Sequence, residues 1–329
     1  MTDKLSSLPL ELLRDIIEAT VPHTYHSTTY AERRHTLRSL SLVSRQLRSI
    51  AQPLLFEIVH IRSNPQLNLL VSDEKETLGS KVLILERYLK LKPMKALLGS
   101  CQNLESLLLK RPAIDKELDL GVLADYTKLV NLHISGSALN RTISRPCIAL
   151  RSLALDHDAV RSVVGSMLNP QHLPSLRALG LQLYNSFHSS LETIGPDLAR
   201  LLPQLDAICV NTDLYRVTKD NLLSKYSPSI LVDVYPAHLN DTDVVRSLAS
   251  AHHLRVMDKP GAIVHDTDIS DTIFYFIAAL GTLKTSALKS IYLDASFRPS
   301  RISIEAPGMT VKMERVLEAC KGGGIEVIF

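Results

Sequence analysis

The stretch Leu150-Arg151-Ser152-Leu153-Ala154-Leu155 shows the pattern that organises most of this chain. Leucines stand at its first, fourth and sixth positions, and polar or small residues separate them. The last two leucines are two residues apart, so in an extended strand their side chains point to the same face. A segment of the form Leu-x-x-Leu-x-Leu therefore predicts a short strand that buries one row of apolar side chains.

The same pattern recurs along the chain after residue 75. Further copies are Leu104/Leu107/Leu109, Leu129/Leu132/Ile134, Leu176/Leu179/Leu181, Leu205/Ile208/Val210 and Leu288/Ile291/Leu293. The first five copies begin 25, 21, 26 and 29 residues apart, and the 83-residue gap before the last has room for about two more. Weaker candidates are Val232/Val234, Leu254/Met257 and a frayed first strand over Val82 to Leu85. Repeats of about 20–29 residues with this signature predict a leucine-rich-repeat solenoid.

Segments between the predicted strands have the apolar spacing of helices. Such stripes run over 160–168, 244–248 and 269–280, and a last helix over Glu314 to Cys320 is expected to end at Gly322-Gly323-Gly324 before a closing strand, Ile325 to Phe329.

Regular repeats place Asn or Cys three residues after the last strand leucine. The residues found there are Pro112, Ser137, Asp158, Tyr184, Asp213 and Ser296. The solenoid should therefore be irregular, and an α/β domain without a true solenoid is the alternative.

The first fifty residues differ from this pattern. Pro9 suits the first turn of a helix whose stripe consists of Leu12, Leu13, Ile16 and Ile17. A second stripe contains Leu37, Leu40, Val43, Leu47 and Ile50, and Pro53 is expected to end it. These short helices carry more apolar surface than their own small core requires, which favours docking on a partner.

Two motifs in this region resemble the F-box, which ties substrate receptors to the Skp adaptor of cullin-RING ubiquitin ligases. Leu8-Pro9-x-Glu11-Leu12-Leu13-x-x-Ile16 resembles the opening of the F-box, and Leu42-Val43-Ser44-Arg45-x-Leu47 resembles its second half. The family usually has Cys and Trp where this chain has Ser44 and Leu47, and the loop from Val21 to Glu32 is longer than in compact members. With the leucine pattern, the chain looks like the fungal F-box proteins that carry leucine-rich repeats.

This resemblance implies an F-box-like helical module over residues 1–60 and a leucine-rich-repeat-like solenoid over 61–329. The expected fold class is α/β, with a parallel sheet on the concave side of the solenoid and helices on the convex side. The resemblance also implies an adaptor-binding face on the module, although some of its residues must serve the module's own core. The residues expected to form this face are Leu8, Pro9, Leu12, Leu13, Ile16, Val43 and Leu47.

Composition limits which other kinds of partner the chain is expected to have. Net charge is +3 with basic and acidic residues interspersed, and aromatic residues make up 5%, which argues against nucleic-acid binding. Four cysteines without a Cys-x-x-Cys pair indicate reduced thiols in the cytoplasm or nucleus rather than disulfides or zinc. The longest apolar run, Ile273 to Leu280, is too short to cross a bilayer, and no membrane partner is expected.

No set of residues indicates catalysis or a cofactor. The densest histidine cluster is His252-His253 with His265-Asp266-x-Asp268, and its spacing does not recur as metal ligands would require. His157 between two aspartates is explained by a turn, and neither a Gly-x-Ser-x-Gly nor a phosphate-binding loop is present. The expectation is a protein that is not an enzyme and holds no cofactor or metal.

What remains is the sheet surface between the buried leucines. Its outward positions are small or polar, and Ala154, Ala178, Gly180 and Ala207 predict a shallow trough in the middle of the sheet. Solenoids bind partners through equivalent positions of successive repeats. The residues expected to bind a protein target are His133, Asp156, Gln182, Asn211 and Tyr292. A solvated or covered sheet face is the other interpretation.

These observations lead to one functional expectation and one rival. The expectation is a non-catalytic, substrate-recruiting subunit of an SCF-type cullin-RING ubiquitin ligase, with a Skp-type adaptor, a cullin and an unknown protein substrate as partners. The rival is a stand-alone leucine-rich-repeat scaffold for protein interactions, in which the N-terminal helices only cap the solenoid. In a cap, the Leu12/Ile16 stripe would pack on the first repeat, whereas in an F-box part of it would stay exposed.

Overall fold

The structure is a computed structural model that describes part of the chain. The described residues are 8–21, 27–72, 79–86, 91–110, 120–135, 145–156, 168–182, 195–219, 222–226, 228–234, 248, 250–256, 287–293, 314, 317–318 and 320–328. Within them no helix is long and apolar enough to cross a bilayer.

The N-terminal region forms three helices: α1 (Leu10–Thr20), α2 (Ser27–Val43) and α3 (Arg45–Glu57). Pro9 precedes the first turn of α1, as its fixed φ favours. The Ser44 side chain begins α3 by accepting a hydrogen bond from the Leu47 amide at 3.1 Å. A separate apolar core holds the three helices together. Its buried members are Leu13, Ile17, Val21, Leu37, Ile50, Ala51 and Leu54.

The rest of the described chain is built on one parallel sheet. Its eleven described strands are β1 (Ile58–Ile61), β2 (Val82–Glu86), β3 (Ser106–Lys110), β4 (Asn131–Ser135), β5 (Ser152–Asp156), β6 (Ala178–Gln182), β7 (Ala207–Asn211), β8 (Ser229–Val234), β9 (His253–Val256), β10 (Ser290–Leu293) and β11 (Glu326–Ile328). The strands lie side by side in chain order. The fold is therefore α/β and solenoid-like, because each strand pairs with its neighbours in sequence.

Strand register aligns the predicted leucines into rows. Leu153 pairs with Leu132 on one side and with Leu179 on the other, and all three are at most 3% exposed. A second row passes through Leu155 and Leu181 in the same way. The predicted burial of these leucines in neighbouring strands of one sheet is confirmed. The continuous row explains the fold, since each strand has apolar partners only when the next one is stacked beside it.

Connections between strands vary, as the missing asparagines predict. Helices α4 (Asn64–Ser72) and α5 (Leu91–Ser100) return the chain to β2 and β3, and α6 (Thr212–Thr218) follows β7 directly. The described parts of the connections before β4, β7 and β8 contain short 3₁₀ turns, and residues 195–201 are helical. The helix predicted over 269–280 lies outside the described residues. Of the stripes over 160–168 and 244–248, only Leu168 and Leu248 are described, and both are buried.

The sheet begins earlier than the sequence pattern suggests. Strand β1 follows α3 without a turn, so a boundary after residue 60 would cut through it. Val82 to Leu85, predicted as a frayed first strand, belongs to a full strand that pairs with both β1 and β3. β1 was missed because Ile58-Val59-His60-Ile61 lacks the leucine pattern and has no glycine or proline before it.

At the far end of the sheet the predicted strands are present, but the apolar pair of β9 differs from the predicted pair. In β9 the buried pair is Leu254 with Val256, two residues apart as strand geometry requires, and Met257 of the predicted pair lies outside the described residues. The chain turns at Gly324, whose φ of +74° is a backbone conformation that favours glycine. The predicted closing strand is present as β11, beside β10.

Candidate functional site

The helical module exposes several large apolar side chains. On α1, Leu12 and Ile16 are 51% and 46% exposed, although they belong to the same predicted stripe as the buried Ile17. At the end of α2, Leu42 and Val43 are each 71% exposed. We call Leu12, Ile16, Leu42 and Val43, together with the exposed Leu10, the apolar helical surface.

A hydrogen bond connects the segment before α1 with the start of α3. The Leu8 carbonyl, just before α1, accepts a hydrogen bond from Gln46 Nε2 at 3.5 Å. Gln46 is in the first turn of α3, so the start of α1 lies beside the corner between α2 and α3. Leu8 and Leu47 pack against the core of the module at this corner. The apolar helical surface therefore combines residues from both halves of the sequence motif.

Not every residue predicted for the adaptor face is accessible. Pro9, Leu12, Ile16 and Val43 are exposed, and Leu8 and Leu47 are partly buried. Leu13 is only 2% exposed, because it lies on the side of α1 that packs into the three-helix core. Leu13 therefore stabilises the module and does not belong to its exposed surface.

The outward face of the sheet forms a second surface. His133, Ala154, Gly180 and Cys209 are successive partners in the register, so they form one row across β4 to β7. With Ala178 and Ala207 beside them, the small side chains leave a cavity of about 450 Å³. We call this cavity the trough. It lies where the small residues of the sequence predict it.

Close strand packing sets the depth of the trough. A Cβ atom placed on Gly180 would lie 3.3 Å from the Cβ of Ala154, tighter than an ordinary van der Waals contact. Glycine at this position thus keeps the floor low without forcing its neighbour to move. Along the strand order, His133 on β4 lines the cavity on one side, and Leu231 on β8 and Arg255 on β9 line it on the other.

A polar cluster lies at one side of the trough. Asp233 is fully buried, and Arg255 contacts it through two nitrogens, with Nε 2.8 Å from Oδ1 and Nη2 2.8 Å from Oδ2. Gln182 Nε2 donates to Asp233 Oδ2 at 2.9 Å, and the Cys209 thiol lies 3.4 Å from the same oxygen. The buried carboxylate is therefore compensated by an opposite charge and by further donors, as a charge away from water requires.

Burial changes the ionisation of two groups in the trough. It raises the pKa of the Cys209 thiol well above its usual value, and the nearby negative charge of Asp233 adds to this effect. Burial also lowers the pKa of His133 below 6.5, assisted by the positive charges of Lys110 and Arg255. Both groups are thus uncharged at neutral pH.

The structure separates the residues predicted to bind a target. His133, Gln182 and Tyr292 are partly exposed on the outward face, and Tyr292 pairs with Arg255. Asn211 is 3% exposed, and its side chain begins α6 by accepting a hydrogen bond from the Leu214 amide at 3.2 Å. Asn211 is therefore a helix cap and not a contact residue. The side chain of Asp156 lies outside the described residues.

Sequence reasoning missed the charged pair of the trough. Asp233 and Arg255 alternate with the buried residues of their strands, Val232 and Val234 in β8 and Leu254 and Val256 in β9. Val232/Val234 stood among the weaker strand candidates and so did Leu254, although it was paired with Met257, so the alternation carried part of the signal. The pairing itself required the register, which places the two charged residues opposite each other.

The described residues contain no group of three or more metal-ligand side chains close enough to hold an ion. His252 accepts a hydrogen bond from the Ile230 amide through Nδ1, and His253 shares one with Ser290 at 2.7 Å. The remaining members of the predicted histidine cluster, His265, Asp266 and Asp268, lie outside the described residues.

Comparison of the sequence with protein-family models and with curated proteins assigns no family to the chain. No protein-family model matches the chain, and no curated protein matches it. Among solved structures, a protein from Bacteroides fragilis superposes with a TM-score of 0.39 at 13% sequence identity, over 82% of this chain and 72% of that one. This likeness is too weak to inform the fold or the function.

Proposed function

We propose that this chain is a non-catalytic, substrate-recruiting subunit of an SCF-type cullin-RING ubiquitin ligase. In this role the apolar helical surface binds a Skp-type adaptor, which connects the chain to a cullin. The solenoid-like sheet, as an irregular leucine-rich-repeat solenoid, binds the protein target. The chain itself transfers nothing, and its contribution is to raise the effective concentration of the target's lysines near the ubiquitin carrier.

The observation that carries this proposal is the exposure of Leu12, Ile16, Leu42 and Val43. Each lies within the two segments that resemble the F-box, and each exposes about half of its surface or more. Leaving several large apolar side chains together in water is unfavourable unless a partner covers them. The N-terminal helices therefore have a free face that is suited to docking, in addition to the face that holds the module together.

The alternative is a stand-alone repeat scaffold whose helices only cap the sheet. Its support is the covalent and ionic link between module and sheet. Helix α3 continues into β1, and Glu57 at the end of α3 lies 2.7 Å from Lys81 Nζ and 3.2 Å from Arg33 Nη2. The contact with Lys81 links the module to the start of β2, and the contact with Arg33 joins α3 to α2. They do not involve the apolar helical surface, which a cap would be expected to bury.

Co-purification distinguishes the two functions. The full chain, tagged at its C-terminus, is co-expressed with a Skp-type adaptor and a cullin and isolated through the tag. A ligase subunit brings down the adaptor in a stoichiometric complex and the cullin through the adaptor. A scaffold with a helical cap elutes alone.

The control for this experiment is a chain that carries Leu12→Asp and Ile16→Asp. Because both side chains are exposed, the variant should remain folded. Docking would bury the two introduced carboxylates without a partner, so the variant should not bind the adaptor. Adaptor recovery that is equal for the variant and the parent would mean that the apolar helical surface is not the docking face.

A further inference from the structure

The trough presents an apolar floor and a defined wall. Ala154, Ala178, Gly180 and Ala207 form much of its floor, and no charged side chain projects from these four positions. Leu231 adds an apolar side chain from the next strand. A volume of about 450 Å³ falls within the range of about 300–1,000 Å³ that is usual for ligand-binding pockets.

The charges of the described residues around the trough are compensated. Arg255 is paired through two nitrogens with the buried Asp233. Lys110, which influences His133, lies 3.7 Å from Glu86 Oε1. His133 itself is uncharged at neutral pH, because burial lowers its pKa. Among these described groups, an anionic ligand would therefore find no uncompensated positive charge, and a cationic ligand would find only the buried carboxylate of Asp233 and the paired carboxylate of Glu86.

Arg255 is held in place and remains partly exposed. Its two contacts to Asp233 restrict the rotation of the guanidinium plane, and 36% of its side chain is accessible. A guanidinium fixed in this way offers a flat, weakly hydrated surface on which an aromatic ring can stack. This contact requires no free charge on the ligand.

We propose that the trough binds an uncharged aromatic side chain, Trp, Tyr or Phe, presented by the protein target. The ring lies on the floor of small residues and against Arg255. This inference rests on the proposed function, because it names the anchor by which the sheet recognises its target. Aromatic residues are the usual anchors of protein interfaces, and they are most effective in a desolvated pocket at the centre of the contact.

An aromatic anchor would gain more from the trough than an aliphatic one. A single aromatic side chain buries about 150–250 Å² of surface. An aliphatic side chain would leave much of the cavity unfilled and would lose the contact with Arg255. The expected target segment is therefore extended along the sheet, with one aromatic residue inserted between His133 and Leu231.

Methyl NMR of the full-length chain tests this proposal without the adaptor. The chain is labelled at alanine methyl groups and titrated with N-acetyl-tryptophanamide, N-acetyl-leucinamide and N-acetyl-aspartate amide. The aromatic amide should shift the Ala154, Ala178 and Ala207 methyl signals in a saturable way, because ring currents act on nearby methyl groups. The other two amides should bind at least about tenfold more weakly, since neither stacks on Arg255.

Two variants locate the binding. Ala207→Leu fills the trough and should weaken the aromatic amide by about tenfold or more. Ser229→Leu is the matched control, because Ser229 pairs with Ala207 on the neighbouring strand but does not line the trough. Arg255→Lys keeps the charge beside Asp233 but removes the planar group, and should weaken the aromatic amide by roughly threefold.

The outcomes that overturn the inference are specific. Stronger binding of the aspartate amide would identify an anion site, and equal binding of the leucine amide would identify a general apolar site. An absence of saturable shifts would mean that the trough has no such ligand. None of these outcomes affects adaptor binding, so failure of the aromatic anchor and failure of the ligase role are distinguished.

Discussion

The guanidinium of Arg255 holds both carboxylate oxygens of Asp233, at 2.8 Å each, across the neighbouring strands β8 and β9. The two residues differ in their access to water, because Asp233 is fully buried whereas 36% of the Arg255 side chain is accessible. Because of this difference, loss of the Asp233 side chain should destabilise the fold less than loss of the Arg255 side chain. The accessible part of Arg255 also lines the trough.

Arg255→Ala should destabilise the chain more than Asp233→Ala. The first change leaves a buried carboxylate without its counter-ion, which costs about 3–5 kcal/mol in other proteins. The second leaves a guanidinium that can rehydrate, so its cost should be about 2 kcal/mol. The double variant should be more stable than Arg255→Ala alone. Urea unfolding measures all three, and the reverse order would contradict this account. Asp125→Ala, which removes an exposed pair with Arg145, is the control and should leave the urea midpoint unchanged.

Truncation of a buried leucine should weaken the sheet. Leu153→Ala or Leu179→Ala should each lower the free energy of unfolding by about 2–5 kcal/mol, because both side chains are at most 1% exposed in a continuous row. Leu69→Ala removes a leucine that is 72% exposed and should change it by about 0.5 kcal/mol or less. Similar midpoints for Leu153→Ala and Leu69→Ala in chemical denaturation would refute the buried row.

Adaptor affinity should depend on exposed residues of the module and not on its core. Leu12→Ala and Ile16→Ala together should weaken binding of a Skp-type adaptor by at least about thirtyfold, since anchor residues at interfaces contribute about 2 kcal/mol or more. Ile148→Ala removes a side chain that is 70% exposed but remote from the module, and should have no effect. Calorimetric titration measures the dissociation constant of the adaptor for both variants. The expectation fails if the two variants bind alike.

Cys209 should react slowly with alkylating reagents. Burial and the neighbouring Asp233 raise the pKa of its thiol, so little of the reactive thiolate exists at mildly alkaline pH. Iodoacetamide should label Cys209 at least about tenfold more slowly in the folded chain than in urea. Mass spectrometry of the peptide that contains Cys209 measures the rates. Equal rates in the two conditions would show that the thiol is accessible and ionised.

His133 should make the chain less stable in acid. Its pKa is lowered in the folded chain, so the unfolded chain binds protons more readily below the ordinary pKa of 6.5. Above pH 6.5 the neutral His133 does not lower the free energy of unfolding. As the pH falls from 6.5 toward the lower pKa of the folded chain, protonation favours the unfolded chain and the free energy of unfolding decreases. His133→Gln should therefore show a shallower loss of unfolding free energy between about pH 7 and about pH 5. Some loss should remain, because the pKa values of His60 and His253 are also lowered. A parallel decline in variant and parent would rule out the effect.

Local patterns were sufficient to predict the described strands other than β1. In each copy, the spacing of three and two residues fixes which side chains share a face, and this depends only on backbone geometry. Leu153 and Leu179 are accordingly buried, and the small residues of β5, β6 and β7 form the trough. The same local reasoning failed for Asn211, because its outward position was considered without the helix that begins immediately after it.

The sequence alone determined the α/β class, the rows of leucines and the apolar excess of the N-terminal helices, because these features repeat within a few residues. Tertiary packing decided which apolar residues are free: Leu12 and Leu13 are adjacent, but the three-helix core covers only Leu13. It also decided the chemistry of the trough. Gln182 and Asp233 are 51 residues apart, and only the stacking of successive strands brings an amide, a carboxylate and the guanidinium of Arg255 into one cluster.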